Sequence, residues 1–219
     1  MYIDLPQKLR TIVRTRQESS TTFSQGVGSK MRLGVMCSGN GTNFENIVRT
    51  CVRHEVVVMV HNKEKCGAAK RAEKFGIPHT YIKSKNEALI IDVFKAWKVD
   101  LIVLAGWMKI ISPSFIKEFP NKIINLHPSM LPKYKGLHAI ERALHSGDEV
   151  TGVSVHYVNE ELDGGDIIIQ REVPILPDDT VKSLTKAIQR MEYALLPAAI
   201  DLYETTISEG KREKVPAMG

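Results

Sequence analysis

From residue 31 onward the chain repeats one pattern: a short apolar run, a polar turn, then a stretch with helical spacing. MRLGVMC, EVVVMVHN, HTYI, VDLIVLAGW and KIINLH are strand-sized runs rich in Val, Ile and Leu. Between them, NFENIVRTCVRH, KCGAAKRAEKFGI and residues 86–97 carry apolar residues at helical spacing, the second stopped by Gly76. SPSFIKEFP opens a further short helix, with Ser112 as cap and Pro113 in the first turn. Strands alternating with helices at this spacing predict βαβ units, a parallel sheet and an α/β fold. Right-handed crossovers then place ligands outside the carboxyl ends of the strands.

Three polar segments fall at such ends: SGNGTN, GWMKII and LHPSMLPKYKG. Beyond them the pattern changes. A helix is expected over 137–146, a half-exposed strand over TGVSVHYV, and its partner over DIIIQREVPI. NEELDGG forms the turn-rich loop between those two strands. A long amphipathic helix over 177–204 is expected to break near Pro197, and the tail KREKVPAMG is polar.

Residues 1–30 stand apart as a flexible N-terminal extension with a short helix near residues 3–13, leaving 31–219 as one catalytic domain. The extension holds five basic and two acidic side chains, so +3 of the net +5 belongs to it. That weakens a nucleic-acid role for the folded part, while a mild positive bias suits a phosphorylated small molecule. No apolar run reaches the roughly 18 residues of a membrane helix. The three cysteines, Cys37, Cys51 and Cys66, match no zinc spacing and read as free thiols in a reducing, cytoplasmic setting. No histidine pair has metal spacing either, so no metal is expected. His54, His61, His79, His138 and His145 read as surface or packing residues, and His156, on an alternating strand, as a residue facing a cleft.

The segment Ser38-Gly39-Asn40-Gly41-Thr42-Asn43 has two equal readings. One is an anion cradle of backbone N–H groups at a helix N-terminus; the other is a tight turn without a ligand. Phe44 occupies the last glycine position of a dinucleotide fingerprint, and no Gly-Lys-Ser/Thr follows, so neither a dinucleotide motif nor a Walker loop is present. In Asn125-Leu126-His127-Pro128, strand alternation puts Asn125 and His127 on one face, and Pro128 ends the ladder. A polar pair at the ligand edge of a parallel strand favours a site over packing. In Glu160-Glu161-Leu162-Asp163-Gly164-Gly165 the glycine pair lets the backbone fold tightly and pin the Asp163 carboxylate.

Four segments in order, GVMCSGNGTN, VLAGWMKIIS, INLHPSMLPKYKG and TGVSVHYVNEELDGGDIIIQ, closely resemble the phosphoribosylglycinamide formyltransferase family over residues 31–205. The resemblance implies a twisted, mostly parallel sheet flanked by helices, with a Rossmann-like N-terminal half. It implies formyl transfer from 10-formyltetrahydrofolate, a co-substrate, to the amine of glycinamide ribonucleotide in purine biosynthesis. Asn125, His127 and Asp163 then become catalytic. Gly41, Thr42 and Asn43, with Gln189 and Glu192 on a later helix, contact the ribonucleotide. Met108, Lys109, Ile110, Ile111 and Asn125 hold the folate, together with Asn159, Glu160, Glu161, Leu162 and Asp163. Partners are small-molecule substrates, with no nucleic acid and no membrane, on a monomer or weak homodimer. Two departures stand out. A family Arg that touches folate has no counterpart in SKNEA, where Lys85 and Asn86 lie nearest, and the usual Arg after the Met is Lys109.

The chemistry this implies needs hydrogen-bond donors for the formyl oxygen, supplied by Asn125 and a protonated His127. Asp163 is expected to raise the His127 pKa and to take the amine proton. Methionyl-tRNA formyltransferase and formyltetrahydrofolate hydrolase share such a centre. The first is expected to need a C-terminal RNA-binding domain and the second a regulatory domain before the core. A non-catalytic nucleotide-binding module is the remaining rival, and all three catalytic residue types argue against it.

Overall fold

The computed structural model describes residues 30–212. The expected N-terminal extension, but for Lys30, and all but the start of the polar tail lie outside the described residues. The elements are β1 (Arg32–Cys37), α1 (Thr42–Thr50), β2 (Glu55–His61), α2 (Gly67–Phe75), β3 (His79–Tyr81), α3 (Glu87–Ala96) and β4 (Leu101–Leu104). They continue with α4 (Pro113–Glu118), β5 (Ile123–His127), α5 (Ala139–Leu144), β6 (Val150–Tyr157), β7 (Ile167–Pro174) and α6 (Val181–Arg212).

Seven strands form one sheet in the order β3-β2-β1-β4-β5-β6-β7. The first five are parallel, while β6 runs antiparallel to both β5 and β7. The chain reverses its winding between β1 and β4, so the crevice beyond their carboxyl ends is the switch point of an open α/β sheet. The loops after β1, β4 and β5 meet there, as the sequence predicts.

Each sheet face has its own apolar core. Leu33, Val35, Leu101, Val103, Ile124 and Leu126 face Phe44 and Ile47 of α1 and Leu184, Ile188, Leu196 and Ile200 of α6. On the opposite face Met36, Val58, Val60, Ile102, Leu104 and Ile123 face Ile90, Val93 and Phe94 of α3 and Phe115 of α4. Each such side chain contributes about 1.5–3 kcal/mol by leaving water. Alternation then fixes the functional geometry. Ile123 lies under the helices of the second face, so Asn125 and His127 point to that same face farther along β5, under loops.

Ser112 caps α4, accepting from the Phe115 N–H at 3.2 Å. Two expectations need correction. Strand β6 is not half-exposed: Thr151 through His156 are buried, because β6 is flanked on both edges and covered on both faces. Helix α6 does not break at Pro197 but runs through it. Proline lacks the N–H that would bond the Tyr193 carbonyl one turn earlier. That carbonyl instead accepts from Asn46 Nδ2 of α1 at 2.8 Å, so the helix continues with a partner for the freed acceptor.

Candidate active site

Glycine loop and α1 form the first wall. Gly41 adopts φ 72 and ends the loop as the N-cap of α1, which has no side-chain cap among the described residues. A Cβ on Gly41 would stand 2.6 Å from the Ala68 Cα, so only glycine lets the loop lie against the start of α2. Ala68 N–H donates to the Gly39 carbonyl at 3.1 Å, and Arg71 Nε donates to the Asn40 carbonyl at 2.8 Å. The first-turn N–H groups of α1, from Thr42 onward, are thus presented where the helix dipole favours an anion. Asn43 Nδ2 donates to Glu192 Oε2 at 2.9 Å, joining α1 to α6. Burial raises the Glu192 carboxyl above its ordinary value, against the lowering effect of the Asn43 amide. Gln189 lies one turn before Glu192 on the same helix.

The segment after β4 forms a second wall. Met108 N–H donates to Ser38 Oγ at 2.9 Å, and Ser38 N–H donates to the Gly106 carbonyl at 3.0 Å. Met108 and Ile110 are exposed and Lys109 is open to solvent. Ile111 turns inward against the α4 core, so of the four expected folate contacts its side chain serves packing. Lys85 and Asn86 are both exposed just before α3.

At the centre, Asn125, His127 and Asp163 come together. His127 Nδ1 lies 3.4 Å from Asp163 Oδ2, and Asn125 Nδ2 lies 3.4 Å from Asp163 Oδ1. His156 stands directly across from Asn125 in the β5–β6 ladder, on the same face. Its Nδ1–H donates to the Tyr157 carbonyl at 2.8 Å, which leaves Nε2 to accept from Asn125 Nδ2 at 3.1 Å. His156 therefore sets which way the Asn125 amide points. It faced a cleft in the sequence reading, and the strand register supplies the partner that the sequence could not.

The Asp163 loop is tight for a reason partly different from the expected one. Asp163 itself takes the left-handed conformation, φ 48. The following Gly165 contributes closeness: a Cβ there would stand 1.9 Å from the Tyr157 carbonyl oxygen. Asn159 Oδ1 accepts from Glu161 N–H at 3.0 Å, and Lys135 pairs with Glu161 at 2.6 Å, tying this loop to the one after β5. Glu160 is exposed, and the exposed Leu162 lies beside Gly136.

The charge states differ from the sequence expectation. Burial pulls the His127 pKa below its ordinary value, outweighing the Tyr134 carbonyl and Asp163, which both raise it. Asp163 does push in the expected direction, but the net shift is down. Burial also acts to raise Asp163, yet His156, the Gly136 N–H and the charge of His127 together hold its carboxyl below the usual range. The Tyr134 carbonyl accepts at 2.9 Å, so His127 Nε2 carries a proton, while Nδ1 faces the Asp163 carboxylate.

Among the described residues one group could close on a cation, His54 with Asp201 and Glu204, in the turn after α1 and on α6. Arg53 donates to Glu204 at 2.8 Å, placing a competing positive charge there. Burial pushes the Cys37 thiol up and Cys51 to about 11, which makes both poor nucleophiles.

A family model described as formyl transferase matches residues 31–200. Phosphoribosylglycinamide formyltransferase of Haemophilus influenzae is 38% identical over 180 residues, covering 77% of this chain and 85% of that protein. The Escherichia coli K12 protein of the same name is 38% identical over 184 residues, covering 79% and 87%. The crystal structure of glycinamide ribonucleotide transformylase 1 from Symbiobacterium toebii superposes with a TM-score of 0.80 at 33% identity. It covers 86% of this chain and 94% of that one.

Proposed function

The chain belongs to the formyl transferase family, alongside the phosphoribosylglycinamide formyltransferases, and from that membership we propose that it moves the formyl group of 10-formyltetrahydrofolate onto the amine of glycinamide ribonucleotide, a step of purine biosynthesis. The convergence of Asn125, His127 and Asp163 within 3.4 Å at the mouth of the switch-point crevice carries this reading.

The ribonucleotide phosphate sits on the loop at Gly41, Thr42 and Asn43, with Gln189 and Glu192 reaching the rest of the nucleotide. The folate lies between Met108, Lys109 and Ile110 on one side and the loop from Asn159 to Asp163 on the other. The exposed Met108, Ile110 and Leu162 provide apolar surface for its rings.

As the amine attacks, negative charge develops on the formyl oxygen. Asn125 Nδ2 gives up its long contact with Asp163 and donates there, a role worth about 3 kcal/mol. The neutral His127 takes the amine proton on Nδ1, where Asp163 stabilises the imidazolium that forms. That Nδ1–H then supports the oxyanion. The C–N bond to the folate breaks, and the proton passes to the departing folate nitrogen. The protein works as a monomer or a weak homodimer. Three free cysteines support a reducing, cytoplasmic setting. No described helix is long and apolar enough to cross a membrane.

Mixing the protein with 10-formyltetrahydrofolate and glycinamide ribonucleotide, and following folate absorbance, tests the proposal. Turnover is expected only with both present. Equal turnover without the ribonucleotide would mark a hydrolase, and none at all a binding module.

A further inference from the structure

Strand β3 has three residues and lies at the edge of the sheet, against β2. In their register His61 stands opposite Tyr81 and Met59 opposite His79, so His61 and His79 lie diagonally on one sheet face. They are 18 positions apart in the chain, a spacing with no metal signature, yet His61 Nε2 and His79 Nδ1 face each other at 3.2 Å. Two imidazole nitrogens held about 2.0–2.1 Å from one tetrahedral zinc ion stand roughly 3.3 Å apart. The outer nitrogens have the acceptors that metal-binding histidines use behind them. His61 Nδ1 donates to the Lys63 carbonyl at 2.8 Å, and a neutral ring that donates there keeps its free lone pair on Nε2. His79 Nε2 faces Glu73 Oε1 of α2 at 3.8 Å. His61 is buried, whereas the His79 side chain is 24% exposed, so the pair reaches solvent on one side. The three-ligand group at His54 lacks this support: Arg53 holds Glu204, and His54 Nδ1 is buried with no hydrogen-bond partner among the described residues.

We infer that His61 and His79 form a zinc-binding clip between β2 and β3, with His61 Nε2 and His79 Nδ1 as the protein ligands and water in the remaining positions. Neutral imidazole suits a borderline divalent ion of this kind. Binding asks one rearrangement. The hydrogen bond between the two rings opens, and His79 moves its ring proton from Nδ1 to Nε2, where Glu73 accepts it. Both rings stay neutral and no proton is released. The ion then joins the edge strand to its neighbour and stabilises the folded chain by mass action. The clip lies three strands from β5, and it stands or falls independently of the formyl-transfer reading.

Zinc titrated into the full-length, chelator-treated protein tests it, followed by long-range nitrogen–proton NMR of the histidine rings and by thermal unfolding. Saturation at one zinc per chain is expected, with a rise in Tm. The ring shifts should fall on His61 Nε2 and His79 Nδ1, leaving the other five of the seven histidines unmoved. His79→Gln, at the partly exposed ligand, should keep the zinc-free Tm near wild type and weaken zinc binding at least about tenfold. Glu73→Gln, whose amide oxygen still accepts, should show a smaller loss, and Asp201→Asn none. Should His79→Gln fail to fold, the wild-type spectra decide. No saturable zinc uptake would overturn the inference. So would uptake that leaves both rings unmoved, whether it shifts His54 or goes to the cysteines, and so would wild-type affinity in a folded His79→Gln.

Discussion

His127 Nδ1 and Asp163 Oδ2 face each other at 3.4 Å, and the Tyr134 carbonyl stands 2.9 Å from the other ring nitrogen.

The first prediction concerns pH. The folded His127 pKa lies below its ordinary value of 6.5, with burial as the main cause. The ring is therefore neutral at pH 7 and becomes charged only as pH falls below about 6.5. The unfolded chain binds that proton more readily, so His127 adds stability above that value and the contribution disappears as pH falls through the folded pKa. An NMR titration of the His127 ring proton in the ligand-free protein should give a midpoint below 6.5. Asp163→Asn removes a charge that raises it, and should move the midpoint lower still. A wild-type midpoint above the ordinary value would show that Asp163 outweighs burial.

A second prediction follows from α6. Burial raises the Glu192 carboxyl, and the Asn43 amide donates to it. Hydrogen bonds to such a group contribute about 1.5–3 kcal/mol. Glu192→Gln should therefore raise the ribonucleotide KM about ten- to hundredfold while leaving the folate KM near wild type. Equal changes in both constants would remove Glu192 from the ribonucleotide side.

The glycine loop gives a third. Alanine at Gly41 must hold φ 72 and press on the Ala68 backbone. The two effects together should cost about 2–4 kcal/mol of unfolding free energy in a denaturant titration. The ribonucleotide KM should rise as the loop shifts. Unchanged stability would mean that the loop has another resting place.

Much of this architecture was legible in the sequence because its signals are periodic or local. The βαβ half follows from alternating apolar runs, the α4 cap from Ser112 and Pro113, and the Asn125–His127 pair from strand alternation. What stayed hidden depends on distant partners. The rescue of the Tyr193 carbonyl by Asn46 lets α6 run through Pro197, and nothing near Pro197 announces it. Strand β6 looks half-exposed until the strand order buries it. His156 gains its role only from the register that sets it opposite Asn125. The net shift of His127 depends on burial, which a neighbouring carboxylate in the sequence does not reveal.

The central claim is that the Asp163 carboxylate acts on the reacting groups with His127 and Asn125. Steady-state formyl transfer by Asp163→Asn, with both substrates varied, measures it most directly. The expected result is a kcat at least about a hundredfold lower, because charge stabilisation at the reacting centre is lost, with each KM within a few-fold of wild type. A kcat close to that of the unaltered protein would contradict the account.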